Sequence, residues 1–257
     1  EDPKSALAAR ATDYRKALDA RDRSAEYCTK ENTRTELHEY RWRVCYWLGD
    51  DQRAAQDLVE LGKLSSPASQ KFSWIMHFYP GLIDAEQGRL DEALQHARAM
   101  AEERPAEFRA VTSSAAMLNI LGRPQEAIEL LSQREAKIDF KAAATPERPE
   151  HWYRALYGLL AGRATWSELE VLAEQVMSEL PPDQRDAKLL WAEAHFFAAS
   201  TALAAGHRAS ALAAFEACER TYDFDDYCYL ARVLVRKMQA DPAWPGWIAA
   251  ADSPASN

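Results

Sequence analysis

The chain has 257 residues, of which 47% are hydrophobic and 28% charged, so it can bury a substantial core in one or two domains. Its formal net charge is −9, and an acidic chain without a strong basic patch repels the nucleic-acid backbone, which argues against nucleic-acid binding. The longest apolar stretch, residues 194–207, is too short to span a bilayer, so we expect no direct membrane insertion.

Apolar residues recur at helical spacing along nearly the whole chain, which predicts an all-α protein with almost no sheet. The connections are mostly short, so neighbouring helices are expected to pack antiparallel as hairpins. Pro80 falls inside a predicted helix and should kink it. The predicted helices span residues 5–20, 35–48, 52–63, 70–87, 90–103, 107–121, 124–134, 150–160, 166–180, 186–205, 208–221 and 226–239.

Glycines mark the ends of five predicted helices, each shortly before another helix begins. Glycine suits these positions because the residue after a helix C-terminus often adopts a left-handed conformation. A small residue follows each glycine by five positions and should let the second helix close against the first. The glycines are Gly49, Gly88, Gly122, Gly162 and Gly206, and the small residues are Ala54, Ala93, Ala127, Ser167 and Ala211.

This pattern resembles the tetratricopeptide repeat family, whose unit is a helix–turn–helix of about 34 residues. The best match is residues 74–107, through Gly81, Gly88, Ala93 and Pro105, and residues 108–141 continue in the same register. Looser units cover residues 35–70, 148–181 and 192–225, and all five lack the bulky aromatic residue expected near the start of the first helix. The resemblance implies an all-α, right-handed superhelical solenoid of about five to six antiparallel helix hairpins. It would cover residues 1–241, followed by a Trp-containing segment and flexible tail at 242–257.

Histidines recur at one repeat position, eleven residues before a turn glycine, at His38, His77, His151 and His195. A metal site or a pH switch is one interpretation, and packing between paired helices is the other. Equivalent residues on successive hairpins should lie roughly 8–10 Å apart. Zinc requires each ligand nitrogen at about 2.1 Å, so we expect core histidines, no metal and no cofactor.

Aromatic residues recur at the next two positions: both positions are aromatic in three of the five units, and one of them is Tyr40 in a fourth. In the tetratricopeptide repeat family this part of the first helix lines the concave face, so the resemblance implies a groove that binds a peptide or a helix of another protein. Aromatic residues and Arg are also enriched at binding hot spots. The alternative is that half of each aromatic pair packs between repeats. The candidate groove residues are Tyr40, Tyr46, Trp47, Phe78, Tyr79, Arg109, Asn119, Trp152, Tyr153, Phe196 and Phe197.

The four cysteines form two local pairs, Cys28 with Cys45 and Cys218 with Cys228. Two disulfides in an oxidising compartment would explain this arrangement, more readily for the second pair, and buried thiols in a cytosolic protein are the alternative. The chain begins without Met, at Glu1-Asp2-Pro3, which looks like a processed start. These features favour a bacterial extracytoplasmic, periplasmic setting over a cytoplasmic one.

Motifs for catalysis are weak in this sequence. It contains no Gly-rich phosphate loop and no nucleophile signature, and the acidic run 223–226 lacks the spacing of a calcium loop. We therefore expect a non-catalytic scaffold or adaptor that binds another protein or a peptide. The alternatives are a sensory or regulatory domain of a membrane-anchored regulator, an inhibitor or immunity protein that neutralises a secreted toxin, and a helical enzyme.

Overall fold

The computed structural model describes residues 3–27, 30–64, 74–145, 148–181, 188–221 and 226–248. Within these ranges every regular element is helical, which confirms the all-α prediction. No helix in the described ranges is both long and apolar enough to cross a membrane. The α-helices are α1 (Pro3–Ser24), α2 (Glu31–Leu48), α3 (Asp51–Lys63), α4 (Ile75–Glu86), α5 (Leu90–Glu103), α6 (Phe108–Ile120), α7 (Pro124–Arg134), α8 (Phe140–Ala143), α9 (Glu150–Leu160), α10 (Trp166–Glu179), α11 (Lys188–Ala204), α12 (Arg208–Thr221) and α13 (Asp226–Ala240).

Helix α1 extends four residues past its predicted end, to Ser24, and α2 begins four residues before its predicted start, at Glu31. Helix α4 continues through Pro80 to Glu86, whereas residues 70–73 of the predicted helix lie outside the described ranges. Helix α8 is a single turn within the predicted break at 141–149. It forms because the Asp139 carboxylate accepts a hydrogen bond from the Ala142 backbone N–H at 2.9 Å, which caps the helix N-terminus.

All five turn glycines have positive φ, between 70° at Gly162 and 88° at Gly49, which confirms their predicted left-handed conformation. Each turn also repeats the same pair of backbone hydrogen bonds. After α6, for example, Gly122 N–H donates to Asn119 O at 2.9 Å and Arg123 N–H donates to Leu118 O at 2.8 Å. This pair of hydrogen bonds satisfies backbone carbonyls that would otherwise have no donor at the end of the helix.

The small residues after the turns are buried in four of the five hairpins, and Ser167 is the exception. Ala54, Ala93, Ala127 and Ala211 are at most 1% exposed, but Ser167 is exposed. The reason is that α10 starts four residues after Gly162, whereas the helix after each other turn glycine starts two residues after it. This shift of two residues places Leu169, with 0% exposure, where the sequence predicted a small residue.

The chain divides into two compact units, Glu1–Pro80 and Gly81–Asn257, with the division inside α4. In the first unit α2 packs against both α1 and α3. Its core is aromatic: the Tyr79 ring lies 4.6 Å from the Trp42 ring and 4.4 Å from the Tyr46 ring. All three side chains are at most 1% exposed.

In the second unit α11 is the central helix. It packs against α12, which follows it in the chain, and also against α6, α9 and α13. The contact between α6 and α11 joins the first helices of two hairpins that are not consecutive, because the hairpin of α9 and α10 lies between them in the chain. Buried aromatic residues fill this region, including Phe196, Phe197 and Tyr227, each with 0% exposure.

The C-terminal segment 244–248 is part of the second unit. Trp247 Nε1 donates to Ile120 O at 2.9 Å, so this side chain reaches the end of α6 instead of the last helix, α13. Ile248 is 6% exposed and lies beside the Gly122 turn. The Arg208 guanidinium donates to the backbone carbonyls of Ala243, Pro245 and Ile248 and fixes the segment against the start of α12.

Cys218 and Cys228 are both free, buried thiols in this structure, which gives no support to a disulfide between them, and that disulfide stays a prediction. Cys228 Sγ donates to Cys218 O at 3.2 Å, and Cys218 Sγ donates to Ala192 O at 3.1 Å. Cys45 is also a buried thiol, and burial raises its pKa to about 11. Its predicted partner, Cys28, lies outside the described residues.

Candidate functional site

Seven of the nine aromatic residues predicted to line a groove lie in the core. They are at most 3% exposed, and so is Asn119, so in this structure they meet other core side chains and not solvent. Their burial supports the packing alternative for these positions. Tyr40, Trp47 and Arg109 keep partial exposure. The buried aromatic residues are Tyr46, Phe78, Tyr79, Trp152, Tyr153, Phe196 and Phe197.

The first unit holds five of the predicted groove residues, and four of them contact a residue of another helix. Tyr46 and Tyr79 belong to the aromatic core described above, and Phe78 meets the Trp74 ring edge-on at 6.1 Å. Trp47 contacts Tyr14 of α1 at 4.8 Å in an edge-to-face arrangement. Tyr40 lies under the Arg21 guanidinium at 4.9 Å, and burial raises its phenol pKa.

The other six predicted residues lie in the second unit, around the point where α6, α9, α11 and α13 meet. The rings of Phe196 and Phe197 lie 5.0 Å and 5.5 Å from the Tyr227 ring of α13. Tyr153 packs on Phe108 at 4.7 Å. These contacts explain why the aromatic pairs recur: they tie the first helices of different hairpins together.

A charged cluster lies beside these aromatic residues. Glu193 is on α11 and only 1% exposed. Its Oε1 atom accepts a hydrogen bond from Arg109 Nη2 of α6 at 3.0 Å and lies 3.6 Å from Arg148 Nη1, just before α9. A buried carboxylate needs such partners because desolvation otherwise disfavours its charged form.

Both arginines of this cluster sit over tyrosine rings and reach toward solvent. The Arg109 guanidinium is 6.0 Å from the Tyr227 ring centroid, and the Arg148 guanidinium is 5.9 Å from that of Tyr153. The two side chains are 33% and 20% exposed. Tyr227 is held in turn by a 2.9 Å hydrogen bond between its hydroxyl and the Ser113 hydroxyl.

In this cluster two arginine side chains meet at one buried carboxylate. Glu193 Oε2 is buried and accepts no hydrogen bond among the described residues, which leaves the cluster incompletely satisfied. Each guanidinium presents several N–H donors in a plane and can bind a carboxylate through two of them. We call Arg109, Arg148 and Glu193 the arginine cluster.

Sequence reasoning selected Arg109 and Tyr153 but missed Arg148, Glu193 and Tyr227. Glu193 could have been noticed in the sequence, because it is the acidic residue that borders the apolar stretch 194–207 on the predicted helix. No sequence feature points to Arg148, because it lies in the predicted break before α9. Only the tertiary packing of α6 and α9 against α11 brings both arginines to the same carboxylate.

The four histidines that share a repeat position have different surroundings. His38 Nδ1 lies 2.9 Å from Asp57 Oδ1 in the first unit, and His151 is exposed on α9. Asp57 is buried, and that burial raises its pKa even though His38, Arg41 and Arg53 each lower it. Within the described ranges no three His, Cys, Asp or Glu side chains converge as metal ligands would.

Three comparisons with known proteins return nothing similar to this chain. No protein-family model matches it, no curated protein matches it, and no solved structure matches it. The class that the fold itself defines is therefore an all-helical protein built from glycine-ended hairpins in two units.

Proposed function

We propose that this chain is a non-catalytic binding protein that holds a peptide or a segment of another protein through the arginine cluster. The arginine cluster would bind an acidic side chain or a C-terminal carboxylate of that partner. The observation that carries the proposal is the sharing of one buried carboxylate, Glu193, by two partly exposed arginines.

Electrostatics supports this assignment. Two guanidinium groups share the Glu193 carboxylate and both stay partly exposed, so each can donate further hydrogen bonds to a carboxylate of the partner. Because Glu193 and the two tyrosine rings hold both guanidinium groups in place, little side-chain freedom would be lost when a ligand binds. Arginine is also the residue type that recognises carboxylates through paired hydrogen bonds.

A displayed peptide library tests the proposal directly. We expect selection against the whole protein to enrich peptides with Asp, Glu or a free C-terminal carboxylate. Arg148→Ala should lower the affinity for the selected peptides about tenfold, because this is the typical effect of removing one charged hydrogen-bonding side chain from a binding site. Arg154→Ala is the matched control, because Arg154 is an exposed arginine on α9 that pairs with Glu150 of its own helix. Equal affinities for both variants would exclude the arginine cluster as the binding site.

The hairpin architecture bears on how such a scaffold is arranged. The repeated glycine turns and buried alanines support hairpins like those of tetratricopeptide repeats. In a repeat solenoid, however, each repeat contacts only its neighbours, whereas α11 also packs on α6, two hairpins earlier. We therefore propose, for the second unit, tetratricopeptide-like hairpins gathered around α11 instead of a regular stack.

The cellular setting remains a proposal of its own. The extracytoplasmic assignment depended on disulfides, and Cys218 and Cys228 are thiols in this structure. Mass spectrometry of the native, non-reduced protein purified from its source would test this setting. Four reduced cysteines would remove the main support for an oxidising compartment.

A further inference from the structure

A second set of aromatic side chains lies where the first turn of α10 meets α11. The Trp166 ring is 5.2 Å from the Trp191 ring and 4.8 Å from the His195 ring, at interplanar angles of 36° and 34°. Beneath them Trp152, with 0% exposure, meets Trp191 at 5.9 Å. Trp166, Trp191 and His195 each keep partial exposure, and we call these three residues the aromatic platform.

The position of Trp166 is fixed from both sides. Thr165 caps α10 in a reciprocal arrangement with Glu168, in which the Glu168 backbone N–H donates to Thr165 Oγ1 and the Thr165 N–H donates to the Glu168 carboxylate. The indole Nε1 of Trp166 donates to Glu170 Oε1 at 3.0 Å. A ring held in this way loses little conformational freedom when a ligand stacks on it.

Negative charge surrounds the aromatic platform on the α10 side. Helix α10 contains four glutamates and no Lys or Arg. Trp166, Glu170 and Glu174 follow one another at intervals of four residues, so they form one strip along the helix, and both glutamates are exposed. Burial lowers the pKa of His195 to about 4, with a smaller effect of the exposed Arg220, so the His195 ring is neutral near pH 7.

The outer side of α10 has few packing contacts within the second unit. The helix packs on α9 and buries only Leu169, Ala173 and Val176, which lie on one side of it. Val171, on the opposite side, is 67% exposed. Exposed apolar and aromatic side chains next to carboxylates provide the two kinds of contact that a cationic side chain requires.

We propose that the aromatic platform, together with Glu170 and Glu174, binds an arginine-bearing segment of a partner protein. A guanidinium would stack on Trp166, since Trp is the aromatic side chain that binds cations most strongly. Its N–H groups would then donate to the Glu170 carboxylate, and a second cation one helical turn further along would meet Glu174. This surface is separate from the arginine cluster and selects the opposite charge.

Binding of a synthetic peptide tests this proposal. The probe is a short, acetylated and amidated, fluorescently labelled peptide with Arg at every fourth position among Ala and Gly, and its binding is followed by anisotropy. We expect the wild type to bind it and Trp166→Ala to bind it about tenfold more weakly. Trp166→Phe, which keeps a ring over α11, should give an intermediate loss. Replacement of every Arg in the peptide by Glu should abolish binding.

A matched pair of double variants separates a specific site from general attraction to an acidic protein. Glu170→Gln/Glu174→Gln and Glu102→Gln/Glu129→Gln change the net charge by the same amount, and all four residues are exposed. The first pair should weaken binding about three- to tenfold and the second pair should leave it unchanged. Equal losses in both pairs, or full binding by Trp166→Ala, would overturn the proposal. Arg148→Ala should bind the basic peptide normally, so the result stays independent of the arginine cluster.

Discussion

At the scale of single residues, His195 shows how tertiary packing decides what a shared repeat position does. It occupies the same position before a turn glycine as the exposed His151, yet its ring lies against Trp166 and Trp191. Desolvation by these neighbours disfavours the protonated ring, and Arg220 adds a smaller repulsion, so the pKa falls to about 4.

The depressed pKa of His195 predicts a pH-dependent stability. An unfolded histidine has a pKa of about 6.5, so between about pH 4 and 6.5 the unfolded chain binds a proton that the native ring does not. The stability that this neutral ring contributes is therefore complete above pH 6.5 and is lost as the pH falls toward 4. Because the ring is partly exposed, we expect about 1–2 kcal/mol from this effect.

The variant His195→Phe isolates this contribution because it keeps an aromatic ring but removes the titrating group. Urea unfolding of both proteins at several pH values between 4.5 and 7.5 would measure it. The wild type should lose more stability than the variant as the pH falls. A difference between the two proteins that does not change with pH would contradict the prediction.

At the scale of helices, Gly81 on α4 is expected to be a close-packing position. A Cβ atom at this residue would overlap Met117 Cε and lie 3.0 Å from His96 Cβ, and Met117 is 0% exposed. Gly81→Ala should therefore destabilise the protein by about 1–3 kcal/mol, in spite of the higher helix propensity of Ala. Gly62→Ala is the control.

Gly62 is exposed on α3, and a Cβ there meets only the end of the flexible Met76 side chain. Its replacement by Ala should be neutral or stabilising by up to about 1 kcal/mol. In urea unfolding, the midpoint should fall below that of the wild type for Gly81→Ala and should stay equal or rise for Gly62→Ala. If Gly81→Ala were as stable as Gly62→Ala, the result would contradict close packing of Gly81 against His96 and Met117.

Helix positions and turns could be predicted from this sequence because their causes are local. The left-handed glycines and the buried alanines after them follow from backbone geometry within one hairpin. The longer turn after Gly162 could not be predicted from the repeat register, because two extra residues change which α10 side chains face α9. Of the arginine cluster, only Arg109 was predicted from the sequence. Arg148 and Glu193 come close to Arg109 through contacts between residues that are far apart in the chain, which the sequence pattern does not show.

At the scale of the whole molecule, the repeat pattern predicted where the helices lie in the chain but not which helices pack against one another. Helical periodicity shows which residues share one side of a helix, but it does not show which other helix covers that side. Most of the predicted groove aromatics were consequently assigned to a surface and lie in the core. The same limit applies to residues 242–248, which the sequence assigns to a separate segment and the structure packs into the second unit.

The C-terminal segment therefore gives a prediction about the whole second unit. Deletion of residues 242–257 removes the buried side chains of Trp244 and Ile248, the Trp247 hydrogen bond to α6, and the carbonyls that Arg208 binds. Burial of two large apolar side chains is worth roughly 3–5 kcal/mol, so the truncated chain should unfold at a clearly lower temperature. Trp247→Phe, which keeps a smaller aromatic ring but loses the hydrogen bond to Ile120 O, should cost at least about 1 kcal/mol.

Hydrogen exchange would show where this loss of stability occurs. We expect faster exchange in α6 and α12 of the truncated chain, because these helices contact the segment directly. Amides of α2 and α3 should keep their protection, since they belong to the other compact unit. Unchanged protection in α6 would mean that the segment does not support the core of the second unit. Equal loss of protection in α2 would mean that the two units unfold together, because a deletion in the second unit would then also destabilise the first unit.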